Sequence, residues 1–162
     1  MSEPSDAVIV RDVRPTDIPN LMNLIREHTA YERAALPADS VAARLTNLLF
    51  TAEPRLHAKV AELDGQLVGY ATASLEVETW QATEFLHMDC LFLLESARGA
   101  GVGGMLLAAV RQLASDLGLD EVQWQTPDWN DGAVRFYDRT GAVKRGKYRY
   151  VLAVDRDREL VA

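Results

Sequence analysis

His87-Met88-Asp89-Cys90-Leu91-Phe92-Leu93-Leu94 runs through Glu95-Ser96-Ala97 into Arg98-Gly99-Ala100-Gly101-Val102-Gly103-Gly104. It is an apolar stretch with one carboxylate, ending in a glycine-rich loop. After the loop, Met105, Leu106, Ala109, Val110 and Leu113 recur at helical spacing, and Gly118 stands where a helix C′ glycine belongs. A strand, a glycine loop and a helix therefore follow one another. Glycines let backbone amides converge and let a ligand approach closely, and the next helix adds unpaired N–H groups at its positive end. That combination is an anion site, and a diphosphate is its natural guest. A turn needing only positive φ would not require Gly99, Gly101, Gly103 and Gly104 together.

Three ligand classes compete for such a loop. A triphosphate P-loop ends in Gly-Lys-Ser/Thr, whereas this loop ends Gly103-Gly104-Met105. Gly99, Gly101 and Gly104 satisfy the dinucleotide spacing G-x-G-x-x-G, and Glu121 lies near the usual acidic offset. That fingerprint opens a series of βαβ units, however, and too little chain follows Glu121. Glu121 also starts its strand, while ribose recognition uses the far end. Coenzyme A is the class that remains.

The rest of the chain reads outward from this centre. Ala7–Val10 has the pattern of a short strand, and Arg14-Pro15-Thr16-Asp17 that of a helix start capped by Thr16 or Asp17. Leu21, Leu24, Ile25 and His28 continue that helix, and a second is expected from about Asp39-Ser40. Asp64-Gly65 between two apolar runs is a hairpin signal. A strand over about Glu121–Thr126, a helix over about Asn130–Arg139 stopped by Gly141, and a last strand at Tyr148–Val154 complete the order β-α-α-β-β-β-α-β-α-β. The expected fold is mixed α/β (α+β) around a largely antiparallel sheet, in one domain spanning 1–162.

Composition sets outer bounds. The 162 residues are 48% hydrophobic and 25% charged, ordinary for a globular chain that buries one core. A formal net charge of −7 disfavours nucleic-acid backbones and anionic membranes. No apolar run is long enough to span a bilayer, and Met1–Asp6 is polar and acidic, unlike a secretion signal. With Cys90 the single cysteine, no internal disulfide is possible and a reducing cytoplasm is expected. His28, His57 and His87 lack ligand spacing, so no metal site is expected.

Arg98-x-x-Gly101-x-Gly103 resembles the R/Q-x-x-G-x-G/A motif of the GNAT acetyltransferase family, and its surroundings match too. Downstream stand Trp129-Asn130-Asp131-Gly132-Ala133-Val134-Arg135-Phe136-Tyr137 and Gly141-Ala142, at the family's spacing. Leu24 to Glu32, Trp80, the Asp89 strand and Trp129-Asn130 resemble the spermidine/spermine and thialysine acetyltransferase branch. The resemblance implies direct transfer of acetyl from acetyl-CoA to a primary amine of a small cationic metabolite, in a homodimer. It implies that Leu91, Phe92 and Leu93 meet the thioester and pantetheine arm, that Arg98 to Gly104 hold the pyrophosphate, and that Asn130, Asp131, Gly132 and Ala133 contact the cofactor.

By the same resemblance, Tyr137 meets the departing sulfur as acid or hydrogen-bond donor. A phenol protonating a thiolate is uphill by roughly 2 kcal/mol on reference values. Asp89 corresponds to the branch's catalytic or substrate-binding glutamate, shorter by one methylene; its competing role is an ion pair with Arg98 or another cation. Tyr31 and Glu32 would face the substrate, with Gln123, Trp124 and Gln125 lining the opposite strand. Arg33-Ala34-Ala35 replaces the acids expected after Tyr31-Glu32 in a polyamine enzyme, which favours a smaller or singly charged amine. Strand alternation puts Cys90 opposite Asp89 and away from any activating group, so no acyl-cysteine is expected. Acetylation of a protein N-terminus or lysine, and a non-catalytic acyl-CoA-binding domain, are the alternatives.

Overall fold

The computed structural model describes residues 7–37 and 41–154, and the chain divides into two compact units, Met1–Gln125 and Thr126–Ala162. In the first, β1 (Ile9–Asp12), α1 (Ile18–Tyr31) and α2 (Val41–Leu49) precede a meander of β2 (His57–Leu63), β3 (Gln66–Glu78) and β4 (Thr83–Leu93). Then come α3 (Val102–Asp116) and β5 (Val122–Trp124). The sheet has the order β1-β2-β3-β4-β5, antiparallel except for the β4–β5 pair. The second unit holds α4 (Asp131–Asp138).

The local reasons are legible. Asp64 and Gly65 both take positive φ, +52° and +76°, the primed turn whose twist suits an antiparallel hairpin. Asp17 precedes α1, but its side chain does not cap the helix. It accepts instead from the Arg14 N–H at 2.7 Å and from both Arg11 terminal nitrogens at 2.7 and 2.9 Å. Arg11 also donates to Glu62, so one guanidinium ties β1, β2 and the entry to α1. The expected start of α2 near Asp39-Ser40 lies outside the described residues.

The sheet is covered on both faces. Leu21, Leu24, Leu45 and Leu49 from α1 and α2 cluster with Val60, Tyr70 and Phe92. Val102, Leu106 and Val110 of α3 are buried outside that cluster. Two expectations are corrected. The strand beginning at Gln66 runs on to Glu78, longer than the apolar run announces. The strand expected at Tyr148–Val154 does not form: this stretch carries no strand structure, and Tyr148, Tyr150, Val151, Leu152 and Val154 are exposed. Its residues favour strands, but that preference is realised only where a ladder partner and a packed face exist.

The Arg11–Asp17 pair carries a stability prediction. Bonding to Arg11 holds the Asp17 carboxyl below its ordinary value, against the opposing effect of burial. Its contribution is complete above the ordinary aspartate value of about 3.9 and is lost as pH falls below it. Asp17→Asn is therefore expected to cost about 2–4 kcal/mol at pH 7, and the gap to wild type closes in acid. Urea titrations at pH 7 and pH 3 measure both ends.

Candidate active site

The β3–β4 ladder breaks register once near its middle. Thr72 faces Cys90 and Ala73 faces Met88, which leaves Asp89 with no opposite residue. Asp89 is thus the extra residue of a β-bulge, which bends the strand and re-aims its side chains. The bulge explains why a carboxylate is tolerated in this apolar strand: Asp89 is exposed. Arg98 pairs elsewhere, donating through Nε and Nη2 to the Leu93 carbonyl at 3.1 and 3.0 Å.

The parallel β4–β5 ladder stops at the same place. It covers Leu86↔Val122, His87↔Gln123 and Met88↔Trp124, while β4 continues to Leu93. Beyond the bulge, backbone alternation decides which amides face the unladdered edge. The Leu94 N–H donates to Val68 of β3, so Leu93 and Leu91 direct their polar groups the other way. The bond from Arg98 to the Leu93 carbonyl confirms that direction. An extended amide-bearing ligand can pair with such an edge as a strand would.

The glycine loop follows. Gly99 and Gly101 have φ of +79° and +81°, and a Cβ at either would meet nothing within 4 Å. Conformation, not crowding, demands glycine there. Gly101 is the N-cap residue of α3, and the first intrahelical bond runs from the Met105 N–H to the Gly101 carbonyl. The amides of Val102, Gly103 and Gly104 precede that bond and have no intrahelical acceptor, the arrangement that suits an anion. Ala100 lies between the two positive-φ glycines. These features fit a pyrophosphate joined to an amide-bearing arm.

The remaining candidates group by element. The Arg98 guanidinium carbon lies 5.0 Å from the Tyr31 ring centroid and 5.7 Å from that of Phe92, which links the end of α1 to the start of the loop. Glu32 follows Tyr31 and meets Nε2 of His28 at 3.2 Å. On β5, Gln123 donates to Glu121 at 2.7 Å, and Trp124 stands opposite Met88, one residue before the bulge. Gln125 is exposed just beyond the strand. His87 pairs with Glu76 at 3.1 Å rather than with Asp89. In the second unit Asn130 is buried and caps α4, its Oδ1 accepting from the Ala133 N–H at 3.2 Å. Asp131 and Gly132 share that first turn, and the Tyr137 ring packs against Phe136.

The bulge corrects the position expected for Cys90. Cys90 is not turned away from Asp89: its Sγ lies 3.6 Å from Asp89 Oδ2, and it packs against the cluster that contains Phe92. An acyl-cysteine is disfavoured on different grounds. Burial, reinforced by the charge of Asp89, pushes the thiol pKa up to about 12, so thiolate is scarce at neutral pH. Two residues lie outside the sequence-based site: Tyr70, and His28, which the sequence places on the apolar face of the first helix without a site role. Joined by a 2.7 Å hydrogen bond, they lie 42 positions apart, and no local pattern could connect them.

Known proteins resemble this chain in sequence and in fold. The acetyltransferase (GNAT) family profile matches residues 20–142, through both units. The thialysine N-epsilon-acetyltransferase of Bos taurus is 27% identical over 143 residues, covering 83% of this chain and 84% of that protein. The D-amino-acid N-acetyltransferase of Saccharomyces cerevisiae is 24% identical over 147 residues, covering 90% and 91%. A solved aminoglycoside N-acetyltransferase in complex with CoA superposes with a TM-score of 0.80 at 20% identity, covering 94% of this chain and 99% of that one. With the bulge, the unladdered β4 edge and the glycine loop in place, the chain belongs to the GNAT family of N-acetyltransferases.

Proposed function

We propose that this enzyme transfers acetyl from acetyl-CoA directly to a primary amine of a small cationic metabolite, such as a thialysine-like amino acid, a diamine or an aminoglycoside. The observation that carries the reading is the coincidence at one point of β4. A carboxylate on a bulge, the last rung shared with β5 and an outward-facing amide edge leading to a glycine loop all meet there. The relatives acting on thialysine and D-amino acids support a compact amine over a protein tail.

Acetyl-CoA supplies the activated acyl group. Leu91 and Leu93 would pair with its pantetheine arm and polarise the thioester, with Phe92 between them. Gly99 to Gly104 would hold its pyrophosphate, with Arg98 anchoring the approach. Asn130, Asp131, Gly132 and Ala133 would contact it from the α4 turn. An aliphatic ammonium near pKa 10.4 is free amine in about one molecule per thousand at neutral pH, so a proton acceptor is required. Asp89 is our candidate, with Tyr31, Glu32, Gln123, Trp124 and Gln125 lining the amine site.

Tyr137 would donate a hydrogen bond or proton to the leaving sulfur. Tyr137→Phe is expected to lower kcat by about tenfold to a hundredfold while acetyl-CoA affinity stays within about twofold. We further propose that the two units form one catalytic domain, supported by a family match that runs through both. We also propose a cytoplasmic homodimer. The exposed apolar stretch at Tyr148–Val154 supports an intermolecular role, and light scattering on the purified protein tests it.

The decisive assay follows free-thiol release from acetyl-CoA with thialysine, ornithine, spermidine, kanamycin and a lysine-containing peptide. Turnover with a small amine supports the proposal. Turnover with the peptide alone replaces the substrate class, and no amine-stimulated release by a folded, acetyl-CoA-binding protein overturns it.

A further inference from the structure

Behind the proposed amine site lies a polar chain that the reaction has not yet used. Tyr70, on β3 and only 2% exposed, bonds His28 Nδ1 at 2.7 Å, and His28 Nε2 meets Glu32 Oε1 at 3.2 Å. The direction of these bonds follows from chemistry. A carboxylate only accepts, so Nε2 carries a proton; in the neutral imidazole Nδ1 is then the acceptor and the Tyr70 hydroxyl donates to it. Burial keeps that phenol protonated, raising its pKa, and the neighbouring Cys90, Asp89 and Glu32 raise it further. One buried hydroxyl thus lies within the electrostatic reach of the bulge carboxylate and of the α1 carboxylate.

Two ring contacts fix the imidazole in place. His28 stacks on Phe92 with centroids 4.8 Å apart and planes 17° from parallel, and it meets Tyr70 edge-on at 5.7 Å. Phe92 stands two residues past Cys90 on the strand that carries the bulge. Leu21 and Leu24 of α1 belong to the same cluster as Tyr70 and Phe92, so apolar side chains would pack where this pair sits. Burying two polar groups costs stability unless they are bonded, and here the bonding ends on Glu32.

We propose that His28 and Tyr70 are positioning residues for acetyl transfer, holding the Glu32 carboxylate in one orientation beside the amine. The inference rests on the reading of Glu32 as a substrate contact. A partly exposed glutamate at the end of a helix samples several rotamers; one tethered to a stacked imidazole does not. The tether also makes amine binding depend on residues that never touch the amine.

Two amides separate the ends of the imidazole. In His28→Gln the amide nitrogen takes the place of Nε2 and keeps the Glu32 contact; in His28→Asn the amide takes the place of Nδ1 and keeps only Tyr70. For the amine with the highest kcat/KM in the panel above, His28→Asn and Glu32→Gln are each expected to raise amine KM about tenfold, with kcat and acetyl-CoA KM within about twofold. His28→Gln stays within about twofold of wild type in amine KM. A packing role would instead affect both His28 variants alike. Histidine-selective nitrogen NMR should show the Nε2–H tautomer in the wild type and a mixture in Tyr70→Phe. Unaltered amine KM in Glu32→Gln removes the reading on which the inference rests. A raised KM there, with an unaltered one in His28→Asn, overturns the inference alone, as does an Nδ1–H tautomer in the wild-type spectrum.

Discussion

Asp89→Asn is expected to lower kcat by roughly two to three orders of magnitude near pH 7, with acetyl-CoA affinity within about twofold of wild type. The substitution keeps the shape of the side chain and removes its charge and its ability to take a proton. Asp89 is exposed on a bulge and accepts from the Cys90 thiol, so losing the carboxylate leaves no buried ion stranded. The fold should therefore survive, and the loss is chemical.

The pH profile gives the sharper readout. Without an acceptor, turnover depends on amine already free in solution, and that fraction rises about tenfold per pH unit below a pKa near 10.4. The deficit of Asp89→Asn should accordingly shrink steadily from pH 7 towards pH 9.5. Steady-state rates across that range decide between roles. A raised amine KM with unchanged kcat would make Asp89 an anchor for the ammonium, and a pH-independent deficit would also remove it as the base.

Much of this was readable from the residues because it is local. The Asp64-Gly65 turn, the glycine loop and the period of α3 each announce themselves within a few positions. The bulge does not: an extra residue in a strand leaves no mark when apolar neighbours flank it. Its consequence was an error of phase, which set Cys90 apart from Asp89 when the two touch. Tyr148–Val154 failed for the opposite reason, since its pattern is strand-like and the pairing that makes a strand is not a property of the segment. The His28–Tyr70 bond is non-local in the same sense, and the docking of α1 against β3 creates it.

The second large effect is expected at Gly69, a position the motif does not include. Gly69 faces Leu93 across the β3–β4 ladder. Because Val68 and Leu94 form the bonded pair next to it, Gly69 and Leu93 are a non-bonded pair, where facing side chains come closest. A Cβ at Gly69 would stand 2.4 Å from Leu93 Cδ2 and 2.9 Å from the Phe92 carbonyl oxygen. The leucine tip can swing away, but the carbonyl belongs to the ladder and moves only with the strand. Gly69→Ala should then cost about 1–3 kcal/mol and Gly69→Val more, lowering the melting temperature by roughly 6–12 °C. The same displacement would move Leu93, whose carbonyl holds Arg98 at the mouth of the glycine loop. Gly69→Val should therefore raise acetyl-CoA KM as well, even though Gly69 is not among the residues assigned to cofactor contact. Adding Leu93→Ala removes the contact with the leucine tip and leaves the carbonyl clash, so the double variant should recover only part of the lost stability. Thermal melts and acetyl-CoA titrations of the three proteins measure both effects. A Gly69→Val protein with wild-type melting and KM would show that the strands do not approach at this pair as described.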